Sequence, residues 1–208
     1  MKKTLLLFVL VAALWAGAPP SFSPAADLLL DRTPVKVLFS PNGGCTEAIV
    51  DQIDQARSAV LVQAYGFTSL PIAKALLKAQ RRGVRVEVIL DKSQRTRRPS
   101  PAAFLANAGI PTFIDAEHAI AHNKVMIIDD RTVISGSFNF TRAAEERNAE
   151  NLFIIRSEEL ARLYVRNWRE HRIHSAAVHA LSRKDEDQES KTRSGDDDAP
   201  SPAAPKVR

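Results

Sequence analysis

His122 and Lys124 stand two residues apart at the head of a short apolar run, and Gly136, Ser137 and Asn139 close the run that follows. On an extended strand, side chains two apart share a face, so the imidazole and the ammonium project together while Asn123 points away. The residues between read as a hairpin. Lys124 to Ile128 is a β-branched apolar strand, Asp129-Asp130-Arg131 is polar turn material, and Thr132 to Ser135 is the return strand. Closing the hairpin brings the Gly-Ser-Phe-Asn turn back beside His122 and Lys124, where glycine permits close backbone approach and Ser and Asn offer a hydroxyl and an amide. Cleavage of a phosphodiester needs a nucleophile or activated water, an acid for the leaving oxygen, and fixed donors for the non-bridging oxygens. An imidazole active near neutral pH, a compact cation, a hydroxyl and an amide supply that set. It requires no metal ion and no cofactor.

The spacing His122-x-Lys124, then Asp129, then Gly136-Ser137-x-Asn139 resembles the signature of the phospholipase D superfamily. The run from Phe140 to Asn151 resembles the segment after that signature in small, single-motif bacterial nucleases of the superfamily, and the whole likeness covers roughly Pro34 to Trp168, most of a normal domain. The resemblance implies that His122 becomes a phosphohistidine, that Lys124 and Asn139 hold the phosphate with help from Ser137, and that a downstream acid hydrogen-bonds the histidine. By position that acid is Glu150, with Glu145 and Glu146 as neighbouring alternatives. Asp129 and Gly136 are expected to serve the hairpin, not the substrate.

A covalent histidine mechanism wants a second histidine to protonate the leaving alcohol and later activate water, yet the motif occurs once in this chain. A homodimer whose twofold axis brings two copies of His122 to one phosphate is the expected remedy. His118 lies four residues before His122, and His171, His174 and His179 sit in a later basic stretch without a phosphate-binding pattern. His118 and His122 have the i, i+4 spacing of helical metal ligands, but the run after them is strand-like and His118 reads as a surface or pocket-rim residue.

The elements that must position these groups alternate along the chain. Strands are expected at Val35 to Phe39, Ala59 to Tyr65, Val84 to Leu90, Pro111 to Ile114, in the hairpin and at Leu152 to Ile155. Helices are expected at Thr46 to Arg57, Pro71 to Arg82, Pro101 to Ala108 and Glu158 to about His174. This is an α/β domain with a mixed, mostly parallel sheet and helices on both faces. Hydrophobic residues at 45% are enough for one sizeable core, and there is no internal repeat to supply a second site. Cys45 stands alone, so no internal disulfide is possible; it reads as a small buried residue at a helix start.

The chain divides into residues 1–26, 27–184 and 185–208. Lys2 and Lys3 precede an apolar run from Thr4 to Ala18, shorter than the roughly 20 residues of a spanning helix, and the whole reads as a secretory signal ending near Ala25 or Ala26. This points to a periplasmic or secreted protein; retention of residues 4–18 as a membrane anchor is the alternative. The last 24 residues, from Asp185, are charged and rich in Ser and Pro, a composition expected to be disordered.

Seven acidic and four basic residues in that tail, and two lysines in the signal, leave a net +6 on the body, which suits a polyanion. Lys92, Arg95, Arg97 and Arg98 cluster just after a strand end, and Arg142 and Arg147 flank the Gly-Ser-Phe-Asn turn. Such groups track a phosphate backbone without reading sequence. Aromatic residues make up only 6% of the chain, so base stacking is not indicated. Nucleic acid is therefore the expected substrate. A phospholipid is the alternative; it would want an apolar groove, and no exposed amphipathic segment is evident to build one.

Overall fold

The computed structural model describes residues 26–96 and 100–179. The signal and anchor readings for residues 1–25, Arg97, Arg98 and the tail from Asp185 lie outside the described residues. In chain order the elements are β1 (Val35–Ser40), α1 (Cys45–Gln55), β2 (Ala59–Ala64), α2 (Leu70–Arg81), β3 (Arg85–Asp91), α3 (Ser93–Thr96), α4 (Pro101–Asn107), β4 (Thr112–Asp115), β5 (Lys124–Ile128), β6 (Thr132–Gly136), α5 (Arg142–Glu146), β7 (Glu150–Arg156), α6 (Glu158–His174) and β8 (Ala176–Ala177).

Helix boundaries follow their end signals. Ser100 and Ser157 accept hydrogen bonds from the backbone N–H of Ala103 and Leu160, Pro71 and Pro101 open their helices, and Gly83 takes φ 91° just after α2. The short α3, α5 and β8 carry too little periodicity to be read from sequence.

The eight strands among the described residues form one sheet in the order β1-β7-β6-β5-β2-β3-β4-β8. Residues of α1, α2 and α4 pack on one face against Val60, Val62, Val86, Val88, Met126 and Ile134. On the other face, Ala161, Val165 and Trp168 of α6 meet Leu61, Ile89, Ile127 and Val133. The Trp168 indole donates to the carbonyl of Val62 at 2.9 Å and ties α6 to the middle of the sheet. The expected α/β class, the mixed sheet and the two helical layers are all present.

The expected excess of parallel pairings is corrected. Only β2–β3 and β3–β4 are parallel, while β1–β7, β2–β5, β4–β8, β5–β6 and β6–β7 are antiparallel. A parallel pair needs a crossover of a dozen or so residues, which α2 and α4 provide. After β4 the chain returns through residues 116–123 without a crossover helix, so β5 enters antiparallel to β2 and begins the hairpin beside it.

Candidate active site

Lys124 is the first residue of β5, Gly136 the last of β6, Glu150 the first of β7, and Ala64, the last of β2, pairs with Lys124. One end of four adjacent central strands therefore carries the residues singled out by sequence. The backbone crosslinks them: Tyr65 N–H donates to the Asn123 carbonyl at 2.8 Å, Phe140 N–H to Gly66 at 3.1 Å, and Ser137 N–H to Asn151 at 3.1 Å. Gly136 is required by packing, because with φ 150° an added Cβ would run into the carbonyl oxygen of Asn151.

His122 lies just ahead of β5, exposed, with its ring centroid 4.6 Å from that of Tyr65. Lys124 is buried; its ammonium donates to the His122 carbonyl at 2.8 Å and sits 5.2 Å from the centre of the Tyr65 ring. Burial lowers the Lys124 pKa from its ordinary value, and the negative charge of Glu150 opposes that fall. Ser137 is exposed, and its hydroxyl oxygen accepts from Asn151 N–H at 3.0 Å. The Oδ1 atom of Asn139 is buried without a hydrogen-bond partner against Gly66, where an added Cβ would lie 3.1 Å away. A buried amide oxygen left unsatisfied is costly unless a donor completes it, so this acceptor is poised for an incoming hydrogen-bond donor.

The three acidic candidates separate by position. Both oxygens of Glu145 cap α1, accepting from Gly44 N–H at 3.0 Å and Thr46 N–H at 2.6 Å. Glu146 pairs with Arg142 at 2.7 Å. Glu150 remains half-buried at the strand ends, held by Asn148 Nδ2 at 3.1 Å.

Asp129 lies at the far end of the hairpin, roughly 17 Å away for a five-residue strand. Its carboxylate accepts from the backbone N–H groups of Arg57, Ser58 and Ala59 and from the Ser58 hydroxyl. Burial would raise its pKa, but those hydrogen bonds outweigh it and hold the group below its ordinary value. With φ 53° and 52°, Asp129 and Asp130 make the left-handed turn that Asp tolerates.

Among the basic candidates, Lys92 follows β3 and donates to the His118 carbonyl at 3.0 Å. Arg95 is exposed on α3, and Arg142 is exposed but engaged with Glu146, which raises its pKa. Cys45 is buried; burial first, then the Glu145 charge, push its thiol pKa up, so it is a packing residue.

His118, expected at the surface or a pocket rim, is partly exposed and turned toward a buried carboxylate. Its Nδ1 lies 3.1 Å from both oxygens of the buried Asp115, to which His171 and His174 also turn. Of the five histidines, three are thus gathered at Asp115, and His179 is exposed at the end of the described chain. Sequence reasoning also missed Tyr65 and Gly66, hidden at the end of an apolar strand, and Asp91, which is buried and accepts Ala121 N–H at 2.8 Å, fixing the loop before His122.

Exposed apolar surface is present after all. Val35, Val37 and Phe39 alternate on edge strand β1 and are 44%, 45% and 66% exposed; an edge strand with period two looks in sequence like a core strand. A cleft of about 200 Å³ lined by Phe67, Leu70, Ala73, Pro101 and Phe104 opens beside the Gly66 turn. A larger cleft, about 690 Å³, lies at the opposite end of the sheet among Arg57, Asp129, Arg131, Arg162, Arg166 and Arg169, away from His122.

The family described as cardiolipin synthase, phospholipase D-like domain matches residues 49–172. A phospholipase D of Rickettsia conorii is 48% identical over 139 residues, covering 67% of this chain and 70% of its own. A phospholipase D of Rickettsia bellii is 46% identical over 150 residues, covering 72% and 75%. In structure, the phospholipase D family member Nuc from Salmonella typhimurium superposes with a TM-score of 0.68 at 38% identity, covering 72% of this chain and all of that one.

Proposed function

The chain belongs to the phospholipase D superfamily and is a phosphodiesterase, and from that premise we propose that it is a metal-independent endonuclease that cleaves DNA, and RNA as well, through a phosphohistidine in a homodimer-shared site. The carrying observation is an exposed imidazole beside a buried lysine at an open strand end, on a body whose exposed basic residues include Lys92, Arg95 and Arg142. A polyanionic backbone reaches such an edge directly, and its phosphates compensate the basic body.

In the proposed reaction, an imidazole nitrogen of His122 attacks phosphorus and the bond to the leaving oxygen breaks. The partner subunit's His122, protonated, gives that oxygen its proton. The same imidazole, now neutral, takes a proton from water, whose oxygen displaces His122 and completes hydrolysis. Lys124, Asn139 and Ser137 hold the non-bridging oxygens, and Glu150 steadies His122. Pairing of two chains is supported by the uncovered stripe Val35, Val37 and Phe39, whose last member pairs with Asn151 at the site end of β7. Residues 1–26 as a secretory signal and 27–184 as the catalytic domain complete the proposal, which places the enzyme in the periplasm or outside the cell. Among the described residues no helix is long and apolar enough to cross a membrane.

A phospholipid substrate is the second reading. It is favoured by the apolar cleft beside Gly66 and by the names of the Rickettsia relatives. At about 200 Å³ that cleft is below the roughly 300 Å³ at which ligand pockets usually begin. The deciding experiment is hydrolysis of plasmid DNA and of phosphatidylcholine vesicles in parallel, in EDTA, with His122→Ala as control. DNA cleavage that persists in EDTA, falls steeply with salt and vanishes in the variant is expected. Lipid cleavage alone would replace the substrate assignment, and activity restored only by added Mg²⁺ would overturn the metal-free step.

A further inference from the structure

Away from the hairpin, three imidazoles converge on a single carboxylate oxygen. His171 Nδ1 lies 2.7 Å from Asp115 Oδ2, His118 Nδ1 3.1 Å and His174 Nε2 3.3 Å. The rings lie close and tilted to one another, with centroid separations of 4.9, 5.3 and 5.4 Å. Asp115 is fully buried, and the side chains of His171, His174 and His118 are 8%, 23% and 26% exposed. One carboxylate balances one positive charge, so three protonated imidazoles at this spacing would leave uncompensated charge in a poorly solvated place. With neutral rings the charge problem disappears, yet the hydrogen bonding is still incomplete: the buried His174 Nε2 makes no hydrogen bond even at 3.3 Å from the carboxylate.

We propose that Asp115, His118, His171 and His174 form a site for one divalent transition-metal ion of the zinc class, which staples the end of α6 to strand β4 and to the loop before His122. One candidate ligand atom from each of the four residues lies within 4.8 Å of all the others. Around tetrahedral zinc, with bonds of about 2.0–2.1 Å, ligand atoms sit roughly 3.3 Å apart. Binding therefore needs modest closure of the rings and a slight opening of the 2.7 Å His171–Asp115 contact. Three neutral imidazole nitrogens and a carboxylate favour zinc and its neighbours over magnesium or calcium, which prefer oxygen.

The surroundings are those of a held ligand set. Glu117 N–H donates to Asp115 Oδ1 at 3.1 Å, Lys92 fixes the His118 carbonyl, and the Ser175 hydroxyl donates to the His171 carbonyl at 2.7 Å. His171 and His174 are one turn apart on α6, and β8 pairs Ala176 and Ala177 with Ile114 and Phe113 directly after them. An ion here joins groups 56 residues apart beside a two-residue edge strand. Four protein ligands leave no open position, so the ion is structural and distinct from the phosphate chemistry at His122.

The test uses full-length protein without a histidine tag. Zinc content is measured by mass spectrometry after purification, and chelator-stripped protein is titrated with ZnCl₂ by calorimetry and with Co²⁺ by visible absorption. One equivalent of zinc per chain, a four-coordinate Co²⁺ spectrum and a raised unfolding midpoint are expected. His174→Gln and His118→Gln, checked as folded by circular dichroism without metal, should each weaken binding at least about 100-fold, while His122→Ala keeps the full equivalent. Absence of stoichiometric zinc binding by the wild type, or equal affinity in folded His174→Gln and His118→Gln, would overturn the site. Zinc lost in His122→Ala but kept in the other two would move it elsewhere.

Discussion

Replacing Asp129 by Ala should unfold the protein more easily and leave its chemistry intact. Four donors end on this carboxylate: the N–H of Arg57 at 3.0 Å, of Ser58 at 2.7 Å and of Ala59 at 3.0 Å, and the Ser58 hydroxyl at 2.8 Å. A hydrogen bond to a charged group contributes about 1.5–3 kcal/mol when water cannot replace it. At this partly exposed turn water can reach most of the donors, and only the Ala59 contact is partly buried, so the sum is discounted to about 2 kcal/mol. Alanine at φ 53° adds about 1 kcal/mol. A loss of about 3 kcal/mol lowers the melting midpoint by about 6–12 °C in a domain of this size. The pH dependence has a definite sign. The folded pKa of Asp129 lies below its unfolded value, so its contribution is complete above about pH 4 and disappears as pH falls through the lowered folded value. Urea unfolding of wild type and variant at pH 7 and pH 3 should show the gap narrowing in acid, and initial rates well below the midpoint should agree within about threefold. An unchanged midpoint, or a 100-fold slower yet fully folded variant, would refute the assignment and put this carboxylate in contact with substrate.

His122→Ala should reduce turnover by at least about four orders of magnitude, with a urea midpoint close to wild type because the side chain is exposed. Gly66→Ala places a methyl 3.1 Å from Asn139 Oδ1 and 3.3 Å from Thr141 Cγ2; steady-state kinetics should show kcat reduced about tenfold or more by displacement of Asn139, with little change in stability. Phe39→Glu puts a charge on the exposed apolar stripe of β1, and light scattering should report monomers with phosphodiesterase activity lost in proportion.

The gathering of the candidate residues was legible in the sequence because their spacing is local. His122 and Lys124 share a strand face by period two, and the Gly136-Ser137-x-Asn139 turn follows at hairpin distance, so the spacing alone brings them to one end. The helices from Pro71, Pro101 and Glu158 were legible for the same reason, since their end signals and apolar periods lie within a few residues. Tertiary structure decided what depends on partners far along the chain. Glu145, Glu146 and Glu150 are alike in sequence, and only the docking of α1 claims Glu145 and leaves Glu150 at the strand ends. The alternating elements suggested parallel strands, but pairing direction is set by which neighbour each strand buries against, and β5 inserts antiparallel beside β2. Asp115 and His118 say nothing of His171 and His174 until β4 and the end of α6 meet at the sheet edge. Local periodicity fixes which face a side chain shows; only the fold determines what stands opposite it.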